Sequence, residues 1–246
     1  MKHLLKSFLT VIFFVNAIYA VSEFKEPEKK PALRALMIAP SLVVMREISL
    51  EDAAKAVIKA GADRIHIDID APTSDINFNG LRSVCGFLPL DVHLLRNLPK
   101  NHIKLYEAAT TISIPIAPVK ELKKKLLFIK ALRCKAGVVL NPDQPIDSIA
   151  GVLSIVDHVI VMGVKPGACG QSFIPATLGK IMELTMRRRS LRLNFLIMVD
   201  GGVKPEFSSL FMDLKVDVLI ACSSIFKKSD YRQAILDLRF GCDDGL

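Results

Sequence analysis

No C-x-x-C pair occurs among the five cysteines (Cys85, Cys134, Cys169, Cys222, Cys242), and their number is odd. Zinc ribbons and disulfide frameworks need closely paired thiols, so neither is expected, and reduced cysteines in a reducing compartment are the simplest reading. No aromatic residue interleaves the basic runs at 123–125 and 187–189, so these read as solvated helix faces and nucleic acid is set aside as a partner. No internal repeat or low-complexity tract stands out, and 13 Gly and 13 Pro are ordinary numbers, which excludes a collagen-like or disordered chain. Long apolar runs are missing too. The most conspicuous, Phe8–Ala20, is too short for a comfortable membrane span, so no stable span is expected in the mature protein.

What is present begins with that run. Lys2, His3 and Lys6 precede it and the polar stretch Ser22–Lys30 follows, which is the layout of a secretory signal. A cleaved signal, a targeting segment and an extension upstream of a start at Met37 all fit. Residues 1–34 are therefore set apart as an N-terminal extension, and 35–246 are expected to form one catalytic domain of the size usual for a barrel. The thiols favour a cytoplasmic location; export through the extension is the alternative. The formal charge is +8, and without residues 1–36 it is 27 − 22 = +5, a modest excess that suits an anionic substrate.

From Leu36 onward, eight short apolar runs (36–40, 64–68, 90–94, 111–116, 137–140, 158–162, 195–199 and 218–221) have the length and character of buried parallel strands. Amphipathic or charged stretches at 50–60, 119–132, 146–156, 176–187, 206–213 and 231–239 separate them and predict crossover helices. Ser49 with Asp52 forms a capping-box-like start for the first helix, and Gly61 suits its left-handed exit. Eight βα units close most economically into a single (β/α)8 TIM barrel, because closure removes sheet edges; a doubly wound open sheet is the runner-up. The longest irregular stretches, 71–80 and 163–175, follow strands two and six, where a barrel carries its functional loops.

Strand two ends Ile65-His66-Ile67-Asp68, and a period of two puts His66 and Asp68 on one face. Strand three carries His93 among branched apolar residues, and strand seven runs into Asp200-Gly201-Gly202. Any one of these residues is ordinarily a core or turn residue. Two imidazoles and two carboxylates at strand ends together form a coherent ligand set for a divalent transition metal. Gly-rich segments at 167–171 and 201–202, with Ala221-Cys222-Ser223-Ser224, could offer backbone N–H groups to a phosphate where barrels commonly bind one.

Ile38-Ala39-Pro40-Ser41, Gly61-Ala62-Asp63 leading to His66-Ile67-Asp68, Asp91-Val92-His93-Leu94, Gly137 through Pro142, Met162 through Gln171 and Val199-Asp200-Gly201-Gly202-Val203 together resemble the ribulose-phosphate 3-epimerase family, from about Met37 to Arg239. The resemblance implies a TIM barrel of the ribulose-phosphate-binding type. It implies one divalent ion (Zn, Fe, Mn or Co) held by His66, Asp68, His93 and Asp200, with Asp68 and Asp200 as the catalytic pair. It also implies substrate contacts at Ser41, His93, Met162, Gly167, Gly170, Gln171, Gly201, Gly202 and Ser223. The implied reaction interconverts ribulose 5-phosphate and xylulose 5-phosphate in the pentose phosphate pathway through a cis-enediolate, and the implied assembly is a homo-oligomer.

Departures from the family pattern accompany the matches. The usual Met-Gly after strand two is missing around Ile69–Ala71, Val44-Met45-Arg46 replace small and acidic residues, and Pro115 stands where a His is common. Ala168-Cys169 replace Phe-Gly, and Cys222 replaces a Gly. These keep open an epimerase of another ketose phosphate, such as a hexulose 6-phosphate, a metal-dependent hydrolase, and a non-catalytic metal-binding descendant.

Overall fold

Eight strands alternate with helices in the order the apolar runs imply: β1 (Met37–Pro40), β2 (Ile65–Ile69), β3 (Leu90–Leu94), β4 (Thr111–Pro115), β5 (Lys135–Leu140), β6 (His158–Met162), β7 (Leu196–Asp200) and β8 (Val218–Ala221). The computed structural model describes residues 35–42, 48–70, 76–165 and 170–241, so the expected extension at 1–34 lies outside the described residues. The helices are α1 (Leu50–Lys59), α2 (Phe78–Cys85), α3 (Lys100–Ile103), α4 (Val119–Ala131), α5 (Thr177–Ser190), α6 (Ser208–Asp213), α7 (Ser223–Phe226) and α8 (Tyr231–Phe240). As expected, the Ser49 side chain accepts from Asp52 N–H at 3.0 Å, and Gly61 takes φ +99°. No helix among the described residues is long and apolar enough to cross a membrane.

Two expectations about local structure change. The stretch 146–156 forms 3-10 turns over Ile146–Val152 in place of a full helix. Gly151 and two β-branched isoleucines lower its α propensity, and the Ser148 hydroxyl bonds back to Pro145 C=O instead of facing solvent. The irregular stretch ending at Gly80 contains the start of α2, where Asn77 caps Gly80 N–H at 3.0 Å. The asparagine cap outweighs the glycine that hides this helix.

All neighbours in the sheet run parallel, in the order β1-β8-β7-β6-β5-β4-β3-β2. Closure between β1 and β2 rules out the open doubly wound sheet. At one end of that seam Ile38 C=O accepts from Asp63 N–H at 3.0 Å; at the other, Leu42 N–H donates to His66 C=O at 3.0 Å, with Ser41 bridging His66. Ile38 and Leu42 turn their N–H groups toward β2, so Pro40 between them should do the same. Proline has no N–H, and the ladder is thinned there.

Alternation sorts every strand into two faces. Residues such as Ile65, Ile67, Val92, Val138, Val161, Ile197 and Leu219 join the cluster packed under the helices. Those of opposite parity point into the barrel. There Ala39, Val139, Ile160, Met162, Met198, Val218 and Ile220 form a separate apolar cluster, whereas β2, β3 and β4 contribute Arg64, His66, Asp91, His93, Thr111 and Ser113, all buried. The barrel interior is thus polar along β2–β4 and apolar along β5–β8 except for His158 at one end of β6 and Asp200 at the other end of β7.

The sequence shows no repeat, yet the hydrogen bonds at the N-terminal end of the barrel repeat four times. Just before each even strand, one residue donates its N–H to a carbonyl of the preceding odd strand, and its side-chain oxygen accepts the N–H of that same partner. The pairs are Asp63 with Ile38, Thr110 with Leu90, Asp157 with Ala136 and Asp217 with Ile197, the side-chain bonds measuring 2.8, 3.1, 2.8 and 2.8 Å. Each aspartate also meets a cation: Arg239, Lys130 and Arg188 respectively. The belt satisfies strand-entry N–H groups that would otherwise be left without partners.

Above the belt lies a polar floor. Arg64 grips Asp91 with two bonds of 2.7 Å, Thr111 Oγ1 donates to Asp91 at 2.8 Å, and Ser113 Oγ sits 2.6 Å from His158 Nε2. Gly137 makes this possible, because a Cβ there would overlap the His158 ring. A buried charge pair gains little net stability, but losing one partner strands the other charge, at a cost of about 3–5 kcal/mol.

Burial pushes the His158 imidazole from its ordinary 6.5 down to about 4. The unfolded chain therefore binds a proton between those values that the folded chain refuses, and stability present above pH 6.5 is lost as pH falls. At pH 5 the loss amounts to about 2 kcal/mol. Urea titrations at pH 7 and pH 5 should show the native chain losing about that much more stability than His158→Gln; equal losses would mean that His158 protonates freely inside the fold.

Candidate metal centre and barrel mouth

His66 and Asp68 of β2, His93 of β3 and Asp200 closing β7 all have inward parity and meet at the C-terminal mouth. His66 Nε2 lies 3.3 Å from Asp68 Oδ1 and 3.8 Å from Asp200 Oδ2; His93 Nδ1 lies 2.8 Å and 3.8 Å from the same two oxygens. The four candidate ligand atoms all fall within 4.8 Å of one another. Donors bound about 2.1 Å from one divalent ion stand roughly 3 Å apart, so the spacing suits a shared cation.

A second feature fits the same group. His93 Nδ1 is buried 2.8 Å from Asp68 Oδ1 outside good hydrogen-bond geometry. A shared ion would give that nitrogen a partner. His66 Nδ1 is likewise buried and unbonded among the described residues, and a ligating imidazole ordinarily hands that proton to an acceptor such as a water.

The two carboxylates differ because their distances differ. Burial raises Asp68, but the close approach and positive charge of His66 and His93 outweigh it and hold the group well below the usual carboxylate range. Asp200, farther from both rings, is pushed up to about 6 by burial and by the charge of Asp68. Burial works to lower His66, yet the hydrogen bond and charge of Asp68, with the charge of Asp200, carry it up to about 9. Two carboxyl groups held apart in this way have the character that acid–base chemistry can use.

The other candidate residues fall around this centre. Ser41 Oγ donates to Asp68 Oδ2 at 3.3 Å, and Met162 is the register partner of Asp200. Gly201 and Gly202 turn the chain away from β7 with φ +91° and +68°, and a Cβ on Gly202 would strike the Phe173 backbone. Gly163 N–H donates to Asp200 C=O at 2.6 Å, joining the loops after β6 and β7. Gly170 and Gln171 follow, the Gln171 amide donating to Lys165 C=O at 2.7 Å. Ser223 opens α7 after β8, preceded by half-buried Cys222. Gly167, Ala168-Cys169, Val44-Met45-Arg46 and Ala71 lie outside the described residues. Sequence reasoning missed the floor residues Arg64, Thr111, Ser113 and His158 as a network, although their inward parity was available. It also missed Lys227, whose ammonium stands beside Gly170.

A parallel eight-stranded barrel with a mixed imidazole–carboxylate cluster at its C-terminal mouth belongs to the class of (β/α)8 enzymes whose chemistry sits on the strand ends. Comparison with known proteins narrows that class. A model described as the ribulose-phosphate 3 epimerase family matches residues 37–226. The ribulose-phosphate 3-epimerase of Bacillus subtilis is 34% identical over 214 residues, covering 83% of this chain and 98% of that protein. The Escherichia coli K12 protein of the same name is 33% identical over 217 residues (84% and 96%), and the chloroplastic ribulose-5-phosphate-3-epimerase of Arabidopsis thaliana is 33% identical over 215 (83% and 76%). The chain belongs to the ribulose-phosphate 3-epimerase family and is an isomerase, an epimerase acting on carbohydrates. Phosphoribosyl anthranilate isomerase from Thermus thermophilus superposes with a TM-score of 0.60 at 12% identity, covering 82% of this chain and 98% of that one, which is a likeness of fold alone.

The raised His66 predicts how a cation enters. At pH 7 the cation-free cluster holds a proton on His66 that must leave before its nitrogen can coordinate. Calorimetric titration of the metal-free protein with Zn or Mn, in buffers of different ionisation enthalpy, should register about one proton released per ion, with affinity rising up to about tenfold per pH unit between pH 7 and 8. Heats that do not depend on the buffer would refute it.

Proposed function

We propose that this chain interconverts D-ribulose 5-phosphate and D-xylulose 5-phosphate by proton transfer at C3, with Asp68 and Asp200 as the exchanging groups and one divalent cation (Zn, Fe, Mn or Co) held by His66, Asp68, His93 and Asp200. The observation that carries the reading is the meeting of two imidazoles and two carboxylates, all four candidate ligand atoms within 4.8 Å, at the mouth of a family barrel.

The chemistry requires a base to take the C3 proton and an acid to return one to the opposite face. The two carboxylates reach the mouth from β2 and β7, strands separated by β1 and β8, so a planar intermediate between them has a proton carrier on each side. One of the two carboxylates takes the C3 proton and the other returns one to the opposite face, and the reverse reaction exchanges the roles. Losing the proton spreads negative charge over the two oxygens of a cis-enediolate. A bound divalent ion supplies Lewis-acid stabilisation of that charge. Ser41 keeps Asp68 oriented through its 3.3 Å bond, and Met162 supplies apolar wall beside Asp200, which helps to exclude water. The segments at Gly170–Gln171, Gly201–Gly202 and Ser223 hold the phosphate. Residues 1–34 form a separate N-terminal extension.

The test is solvent exchange. With Zn, Mn, Fe or Co in D2O, the native protein should place deuterium at C3 of ribulose 5-phosphate and produce xylulose 5-phosphate. Asp68→Asn and Asp200→Asn should each slow exchange by about 10²–10⁴-fold. No exchange with any of these ions would sink the reading, and turnover of a hexulose 6-phosphate alone would transfer it to a different ketose.

A further inference from the structure

We propose that Lys227 is a specificity-determining residue of this chain, its ammonium gripping the dianionic phosphate of the substrate beside Gly170 and Ser223. The proposal rests on the sugar-phosphate reading above and adds a charged contact to it.

Three features place Lys227 there. Lys227 N–H donates to Ser223 C=O at 3.3 Å, so Lys227, which caps the end of α7, stands one turn beyond Ser223. Its Nζ lies 3.6 Å from the point a Cβ on Gly170 would occupy, and no other atom among the described residues outside the immediate chain neighbours comes within 4 Å of that point. The ammonium is therefore drawn in over the loop after β6, though the residue is exposed and free to point into solvent. Finally, its charge is uncommitted. Lys125, Lys130, Arg187, Arg188 and Arg239 each meet a carboxylate, whereas Lys227 has no carboxylate partner among the described residues.

Charge balance supplies the reason. The phosphate is a dianion held away from the carboxylate cluster, and its charge calls for a cation of its own. Backbone N–H groups at Gly170, Gly202 and Ser223 provide dipoles but no net charge; exposed Lys165 and Lys204 stand on the same loops, and Lys227 is the lysine whose ammonium is drawn in beside Gly170. This contact lies away from the reacting carbon and is the same in ground and transition states, so it acts on KM rather than on kcat.

The experiment compares the full-length, metal-loaded protein with Lys227→Met, Lys227→Arg and Lys228→Met, the last a neighbouring exposed lysine. Two quantities are read: the affinity for inorganic phosphate by calorimetry, and KM and kcat for ribulose 5-phosphate. Lys227→Met should weaken phosphate binding and raise KM by about tenfold or more with kcat nearly unchanged. Lys227→Arg should retain most of both, and Lys228→Met should match the native protein. Unchanged phosphate affinity and KM in Lys227→Met, an equal loss in Lys228→Met, or no phosphate binding by the native protein would each overturn the assignment. Phosphate binding that depends on Lys227 without turnover of ribulose 5-phosphate would leave the lysine in place and remove the proposed substrate instead.

Discussion

Two buried carboxylates brought close together repel each other, and the polar half of the barrel is organised around that repulsion. With Asp68 and Asp200 held near two shared imidazoles, an effective dielectric of about 20 puts the repulsion at roughly 3 kcal/mol. Asp200 is pushed up to about 6, first by burial and then by this repulsion. His66 and His93 relieve the strain unequally, because both stand closer to Asp68. This difference in distance is thus enough to move the two carboxylates in opposite directions in the cation-free cluster.

Such a cluster persists only if its supports do not move. Beneath it, Arg64 neutralises Asp91, the register partner of His66, Thr111 adds a third bond to Asp91, and Ser113 pairs with His158. Farther down, the fourfold belt of Asp63, Thr110, Asp157 and Asp217 fixes the register of each odd strand against the even strand that follows. A slip of one residue would turn every inward group outward, so register is a precondition for the site. The two ends of the barrel divide the work: the N-terminal end spends its carboxylates on backbone N–H groups and helix cations, and the C-terminal end leaves two available for chemistry.

Much of this could be read from the chain. The eight apolar runs locate the strands to within a residue or two, and the inward parity of His66 and Asp68 follows from a period of two. Other features were hidden for physical reasons. The belt residues are Asp, Thr, Asp and Asp in different local contexts, so what repeats is a hydrogen-bond geometry and no string of letters carries it. The helix starting at Phe78 depends on a single asparagine cap that outweighs Gly80, and the 3-10 turns at Ile146–Val152 on weak α propensity joined to one serine bond. His158 reads as one more residue of an apolar strand until Gly137, on the neighbouring strand, shows the space it fills. Lys227 reads as a solvated charge because its approach to Gly170 joins loops more than fifty residues apart.

The belt also gives a common frame for the mouth. Counting five residues beyond Asp63, Thr110, Asp157 and Asp217 reaches Asp68, Pro115, Met162 and Cys222; counting three beyond their partners Ile38, Leu90, Ala136 and Ile197 reaches Ser41, His93, Val139 and Asp200. Asp68 with His93, Pro115 with Val139 and Met162 with Asp200 are register partners, and the pairing of Pro40 with Ala221 places Cys222 alongside Ser41. Most of the inward side chains expected at the sugar, together with two departures from the family pattern, Pro115 and Cys222, therefore occupy equivalent positions of one fourfold scaffold. The scaffold is nearly symmetric and its decoration is not. Carboxylates stand at two of the eight positions, and no two of the four quarters are decorated alike.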